Sequence, residues 1–273
     1  YKLIMGIYDC FQYFNEETVL DLRLNILNKA VDFFVIVEST TDHQGNEKKL
    51  NFDINKYKKY EKKIIYVVVD DTNKEIRKPH IGQNSLVEQH QRNSIMRGLK
   101  NSSDDDLIII SDVDEIPDLS KLKYLDEKKR FSVFVQKKYD YKLNLQNITE
   151  GDWYGSKICK KKDLISPQWL RNLKFKKYPF WRIDKIRDIK IINNAGWHFS
   201  YLQSPEDILK KISSFSHGER NKSEFKKIAR IEEKIKLQEN IFNLGFSYKK
   251  VKIDDTFPEY ILQNKDKFKD WII

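Results

Sequence analysis

Residues 107–117, LIIISDVDEIP, run four apolar side chains into three carboxylates, Asp112, Asp114 and Glu115, and close on a proline. An uninterrupted apolar run of this length suits a strand covered on both faces, and such strands belong to parallel sheets whose crossover helices supply the cover. The stretches around it agree. KLIMGIYD, VDFFVIVES and KKIIYVVVDD read as further strands, and NEETVLDLRLNILNK and SLVEQHQRNSIMRGLK read as helices between them. The alternation predicts an α/β fold, a Rossmann-like, mostly parallel sheet flanked by helices. In the first helix Asn15 is the N-cap candidate, with Val19, Leu22, Ile26 and Leu27 as the buried stripe.

Ligands of such sheets bind at the carboxyl ends of the strands. Asp9, Glu38, Asp70, Asp71, Asp112 and Asp114 all fall there by this reading, so the rim is either a cation site or an acidic cleft. Composition narrows the partners. The 273 residues are 40% hydrophobic and 13% aromatic, enough for a sizeable core. The net charge of +10 is spread over lysines mixed with glutamate, which reads as a solvated surface and not a nucleic-acid footprint. No apolar run reaches membrane-spanning length. The chain begins without methionine, so trimming of an upstream segment is kept open, and a cytoplasmic location is expected. Cys10 and Cys159 are expected to be buried free thiols. The sequons at Asn101, Asn147 and Asn221 are read as chance.

Beyond Pro117, FSVFVQKKY predicts a strand, while GDWYGSKICKKKDLISPQWLRNLKF looks loop-rich, and the segment between Tyr139 and Tyr178 is expected to act as an acceptor lid. IKIINNAGWHFSYL predicts two short strands or a strand and a turn. Ser204 caps a helix that Pro205 opens, a second helix runs from about Ser223 to Asn243 and ends near Gly245, and a last one follows Pro258.

On a strand, residues two apart share a face, so Asp112 and Asp114 are expected to project together. Two unpaired carboxylates repel, and a divalent cation removes the conflict, with hard oxygen donors suiting magnesium or manganese. The plainer reading is an acidic turn. In the preceding helix Arg92 shares the apolar stripe of Ile95, Met96 and Leu99, with Glu88 one turn earlier. A buried guanidinium needs an anion. Glu88 or a bound phosphate would serve.

QRNSIMRGLKNSSDDDLIIISDVDEIP is similar to the arginine-to-acid segment of nucleotide-sugar glycosyltransferases with the GT-A fold. YDCFQYFNEETVLDLRLNIL, VDFFVIVES, SDVDEIP, NAGWHFSYL and KISSFSHGE, in that order, resemble glycosyltransferase family 17. The resemblance implies a GT-A-type domain over 1–273. Its parts are a nucleotide-sugar half (1–117), an acceptor-side half (118–203) and a helical C-terminal region (204–273). It implies metal-dependent, inverting transfer of a sugar, GlcNAc first, from a UDP-sugar to a glycan hydroxyl.

Residue by residue, the resemblance makes Asp112 and Asp114 ligands of Mn2+ or Mg2+, with His198 either a third ligand or part of the acceptor wall. Asp9, Glu38, Arg92 and Asp112 form the donor-binding set, and Trp197, Tyr201 and Asp152 face the acceptor. Asp188, Glu219 and Glu115 are the leading candidates for the catalytic base, with Asp152 and Asp184 behind them. No oligomeric state follows. A metal-dependent phosphohydrolase or nuclease, or a non-catalytic carbohydrate-binding protein, would use the same acids.

Overall fold

The computed structural model describes residues 5–73, 75–76, 86–174, 186, 188–214 and 223–273. Its first half is the parallel sheet that the apolar runs predict. Strands β1 (Ile7–Gln12), β2 (Phe33–Ser39), β3 (Ile64–Val69) and β4 (Leu107–Ile110) lie in the order β3-β2-β1-β4, every pair parallel. Period-two alternation sends Phe34, Ile36 and Ile109 into one core and Val35, Val37, Ile108 and Ile110 into another. Helix α1 (Glu17–Leu27) closes the first core, and α2 (Leu86–Asn93) with α3 (Ile95–Gly98) closes the second. Gly98 permits that closeness: a Cβ there would meet Val35 Cγ1 at 2.5 Å.

Parallel pairing stops at β4. The next strand inward is β8 (Asp152–Lys160), antiparallel both to β4 and to β6 (Phe131–Asp140). The reading of residues 151–175 as loop-rich is therefore corrected for Asp152–Lys160. Gly155 and Ser156 interrupt the apolar pattern, but Gly155 leaves room for Gln136, whose Oε1 would lie 2.2 Å from an added Cβ. A short helix, α4 (Pro167–Asn172), follows, capped by the Ser166 hydroxyl. At its far end β6 takes β10 (Gly196–Ser200) as a parallel neighbour, and β10 in turn carries β5 (Glu115–Pro117) antiparallel. β9 (Ile189–Ile192) lies along the opposite end of β6, while β7 (Leu145–Asn147) and β11 (Tyr248–Lys250) finish that edge.

Several element ends differ from expectation. Asn15 does not cap α1; its side chain bonds Gln203 Nε2 at 2.9 Å, and the Glu16 carboxylate accepts the Phe14 and Asn15 N–H groups. The helix predicted over 85–100 breaks at Ser94, whose hydroxyl bonds back to the His90 carbonyl. Ser204 does cap α5 (Pro205–Ser214), accepting the Asp207 N–H. The next helix, α6 (Ile228–Lys236), is shorter than predicted, because the chain turns at Gln238 with φ of 56°. The last is α7 (Glu259–Gln263). Cys10 and Cys159 are free and buried.

Candidate active site

The acids after β4 sit on a turn and not on a continuing strand, and one side chain shapes it. Arg23, on the buried face of α1 and fully enclosed, donates to the carbonyls of Asp112, Val113 and Glu115 at 2.9–3.1 Å. The rest of its guanidinium binds Asp9 through two bonds of 2.6 and 2.7 Å and the Ser111 hydroxyl. Asp9 is thus the counter-ion of Arg23, wholly buried within β1, and its place in the donor-binding set is corrected. The strand runs three residues past it, to Gln12.

Shaped this way, the turn aims Asp112 and Asp114 into one cavity of about 260 Å3. Gln12, Tyr13 and Phe14 wall it after β1, Thr41, Asp42 and His43 after β2, and Glu88, Gln91 and Arg92 from α2. His198, Tyr201 and Lys211 close the remaining side. Of the acids expected on this rim, Asp112 and Asp114 line the cavity, whereas Asp9 is buried on Arg23 and Asp71 pairs with His90 and Arg97.

Cations hold both acids. Asp112 receives Arg171 at 2.7 Å on one oxygen and Arg92 at 3.1 Å on the other. Asp114 has His198 Nε2 and Lys211 Nζ, each at 3.6 Å. Burial pushes both carboxyls up, but Arg171 and Arg92 at Asp112, and Lys211 and His198 at Asp114, outweigh it, leaving both well below the usual carboxylate range. Lys211 is shared with Glu16 at 2.9 Å, and burial, which would lower its pKa, loses to the two acids. Among the described residues no three His, Cys, Asp or Glu side chains gather as a ready metal site.

The sequence model of glycosyltransferase family 17 matches residues 2–271, nearly the whole chain. The chain belongs to glycosyltransferase family 17. No curated protein matches it. Among solved structures, it is similar to the crystal structure of HddC from Yersinia pseudotuberculosis complexed with GMP-PN. The two share 9% identity, over 70% of this chain and 90% of that one, with a TM-score of 0.37.

For this glycosyltransferase the remaining expected residues separate into two groups. Asp112, Asp114, Arg92, His198 and Tyr201 meet at the cavity. Of its two expected partners Arg92 takes Glu88, at 3.0 Å, and it also binds Asp112, with Gln168 Oε1 at 2.6 Å. The others do not join. Glu38 is buried, and its two oxygens accept from Lys48, the Asn51 and Phe52 N–H groups and the Tyr66 hydroxyl, so it fastens the loop after β2.

Glu115 is fully buried and spent on the Trp153 indole, the Asp112 N–H and Arg171. Asp188 pairs with Arg130 at the start of β6, beside Phe131. His198 lies beside Lys138, seven residues or about 23 Å further along that strand. Asp152 is exposed, on the strand face opposite Trp153, whose ring packs against His198 at 4.8 Å. Trp197 likewise points away from His198 and donates its indole N–H to the Thr256 carbonyl. Asp184 and Glu219 lie outside the described residues.

Sequence reasoning missed Arg23, Arg171 and Lys211. A signal existed for two of them. Arg23 follows Val19 by four on a buried stripe, and Lys211 falls with Ile208 and Ile212 on α5, so each put a cation on an apolar face. Arg171 carried none.

Proposed function

We propose that this glycosyltransferase takes its sugar from a UDP-sugar, UDP-GlcNAc first, and passes it with inversion to a glycan hydroxyl. The observation that carries this reading is the convergence of Asp112, Asp114, Arg92, Lys211 and His198 on one cavity beyond β1, β2 and β4. A diphosphate needs cationic groups, and a leaving nucleotide needs its growing negative charge met where it develops. Arg92 and Lys211 offer this at the cavity, and Arg171 stands behind Asp112. Phe14, with Lys48 over its ring at 5.4 Å, and Tyr13 offer aromatic surface to a base at the β1 and β2 end.

The donor set of Asp112, Asp114 and His198, two carboxylates and an imidazole, suits manganese or magnesium. Asp114 Oδ1 and His198 Nε2 face each other at 3.6 Å, and Asp112, held here by Arg92 and Arg171, would complete the set. A cation held there supplies positive charge to the departing diphosphate. The residues of the chain do the rest: Arg23 keeps the turn in place, and Trp153 fixes the His198 ring.

Inversion needs a carboxylate on the side away from the nucleotide to take the acceptor proton. With the base at the β1 and β2 end, that side is the one where His198 lies, with Trp153 packed behind its ring and β6 beside its strand. Glu150, ion-paired with Lys138 beside the Trp153 ring and 28% exposed, is assigned that role. The test is a nucleotide-sugar panel with manganese, read by thermal shift and by release of free nucleotide. UDP-specific stabilisation with UDP release supports the reading. A response to polynucleotide or phosphate ester alone supports a phosphohydrolase instead.

A further inference from the structure

The strand that carries His198 opens onto two cavities. Alternation along β10 sends His198 to the site above and Trp197 to the other face of the sheet. There a larger cavity, about 970 Å3, lies between α1, the segment after Pro117 and the chain leading into α7. Trp197 is half-buried in it, its indole anchored by the Thr256 carbonyl at 3.0 Å. Tyr260 stands across it, and the amides of Asn25, Asn194 and Gln263 line the walls.

Its charges cancel. Lys29, Lys121 and Lys137 face Asp118, Asp255 and Glu259, and two of these pairs, Lys29 with Glu259 and Lys121 with Asp118, stand at 3.9 Å. A polyanion needs a surplus of positive charge, which this wall lacks. Aromatic faces with side-by-side amide donors and acceptors suit a neutral, hydroxyl-rich ligand with apolar C–H faces. The volume is that of an oligosaccharide-sized site.

We infer that this second cavity binds a neutral glycan chain, holding a part of the acceptor remote from the reacting hydroxyl. The inference rests on membership of a glycosyltransferase family and assumes nothing about donor or cation. Anchoring a distal segment adds to acceptor affinity, and it raises the effective concentration at the first cavity for a chain long enough to span the two faces of the sheet.

Binding of mannotetraose, chitotetraose and cellotetraose to the whole chain is measured by saturation-transfer NMR. The proteins are the parent, Trp197→Ala, Ser120→Trp and His198→Ala. Ser120 is exposed at the cavity wall, so Ser120→Trp plugs the cavity without removing a core contact. A melting curve on each sample reports its fold. The expected result is that at least one tetrasaccharide binds, weakens about tenfold or more in both cavity variants, and is unchanged by His198→Ala and by saturating UDP. Ser120→Trp decides the matter alone where Trp197→Ala fails to fold. The inference is overturned if none binds at about 10 mM, if the folded cavity variants bind like the parent, or if UDP or His198→Ala abolishes binding. UDP release, followed in the same samples, tests the donor reading separately.

Discussion

Arg171 Nη2 lies 2.7 Å from Asp112 Oδ2, and the same nitrogen stands 3.4 Å from Glu115 Oε1. A residue of α4 thereby neutralises the turn that follows β4. Asp112 and Glu115 in turn raise the Arg171 pKa above its ordinary value, so the guanidinium stays charged at any working pH. Arg171→Gln is expected to lower UDP-sugar affinity and to let the Asp112 carboxyl rise toward the ordinary range. The loss should sit within the ~1.5–3 kcal/mol of a charge-assisted bond, read by calorimetry and by the acid limb of the pH–rate profile.

Arg92 reaches Glu88, Gln168 and Asp112 at once and is almost completely buried. Arg92→Met should therefore lower the melting temperature and the donor affinity together. The stability loss should be about 1.5–3 kcal/mol, since a charged bond to Glu88 is lost while Asp112 keeps Arg171. A fall in stability with unchanged donor affinity confines Arg92 to a structural role.

Arg23 and Asp9 make a fully buried pair whose guanidinium also holds three carbonyls of the acidic turn. Arg23→Met is expected to destabilise by about 3–5 kcal/mol. Arg23→Met combined with Asp9→Leu should recover part of that loss, because no uncompensated charge remains. Chemical denaturation of both variants measures the difference.

Lys157, buried beside Arg171 and bonded to its carbonyl, has its pKa lowered to about 7 by burial and then by the Arg171 charge. The unfolded chain keeps this proton up to the ordinary lysine range, near 10.5, while the fold releases it from about 7. Between those limits the unfolded state binds more protons, so stability rises with pH. Lys157→Met should flatten that slope, its stability gain being largest below about pH 7 and shrinking as pH climbs. Asp112 and Asp114 give the same sign in acid: their contribution is present above the ordinary carboxyl pKa of about 3.9 and fades as pH falls below it.

Much of the first half was legible because its signals are local. Apolar runs in β1 to β4, the stripe of α1 and the acids after Ile110 each follow from neighbours in sequence. The second half depends on partners far along the chain. β8 looked like a loop because Gly155, Ser156 and Lys157 interrupt its apolar residues, yet its place between β4 and β6 buries all three. Asp9 looks ligand-facing because its strand reads as ending there, whereas β1 runs on to Gln12. Glu38 lies at the expected end of β2, but Lys48 and the Asn51 and Phe52 N–H groups take up its carboxylate. Arg23 shows as a cation on an apolar stripe, with nothing nearby in sequence to mark Asp9 as its partner. Trp197 and His198 were read as one wall, although alternation on β10 separates them.

His198 Nε2 faces Asp114, while its buried Nδ1 has no hydrogen-bond partner among the described residues. His198→Ala should raise the manganese concentration needed for half-maximal rate, with the rate recovering at high metal. A raised acceptor Michaelis constant at unchanged metal dependence makes it an acceptor contact instead. Glu150→Gln should lower kcat by about 10²–10⁴-fold, the range of general-base catalysis, and leave nucleotide affinity intact.

Calorimetric titration of UDP into the parent protein and into Asp114→Asn, each with and without manganese, tests the central claim most directly. Saturable, manganese-enhanced binding is expected in the parent, with the enhancement lost in Asp114→Asn and the melting transition of that variant still cooperative. UDP binding that is absent from the parent, or equally strong and equally manganese-dependent in the folded variant, contradicts it.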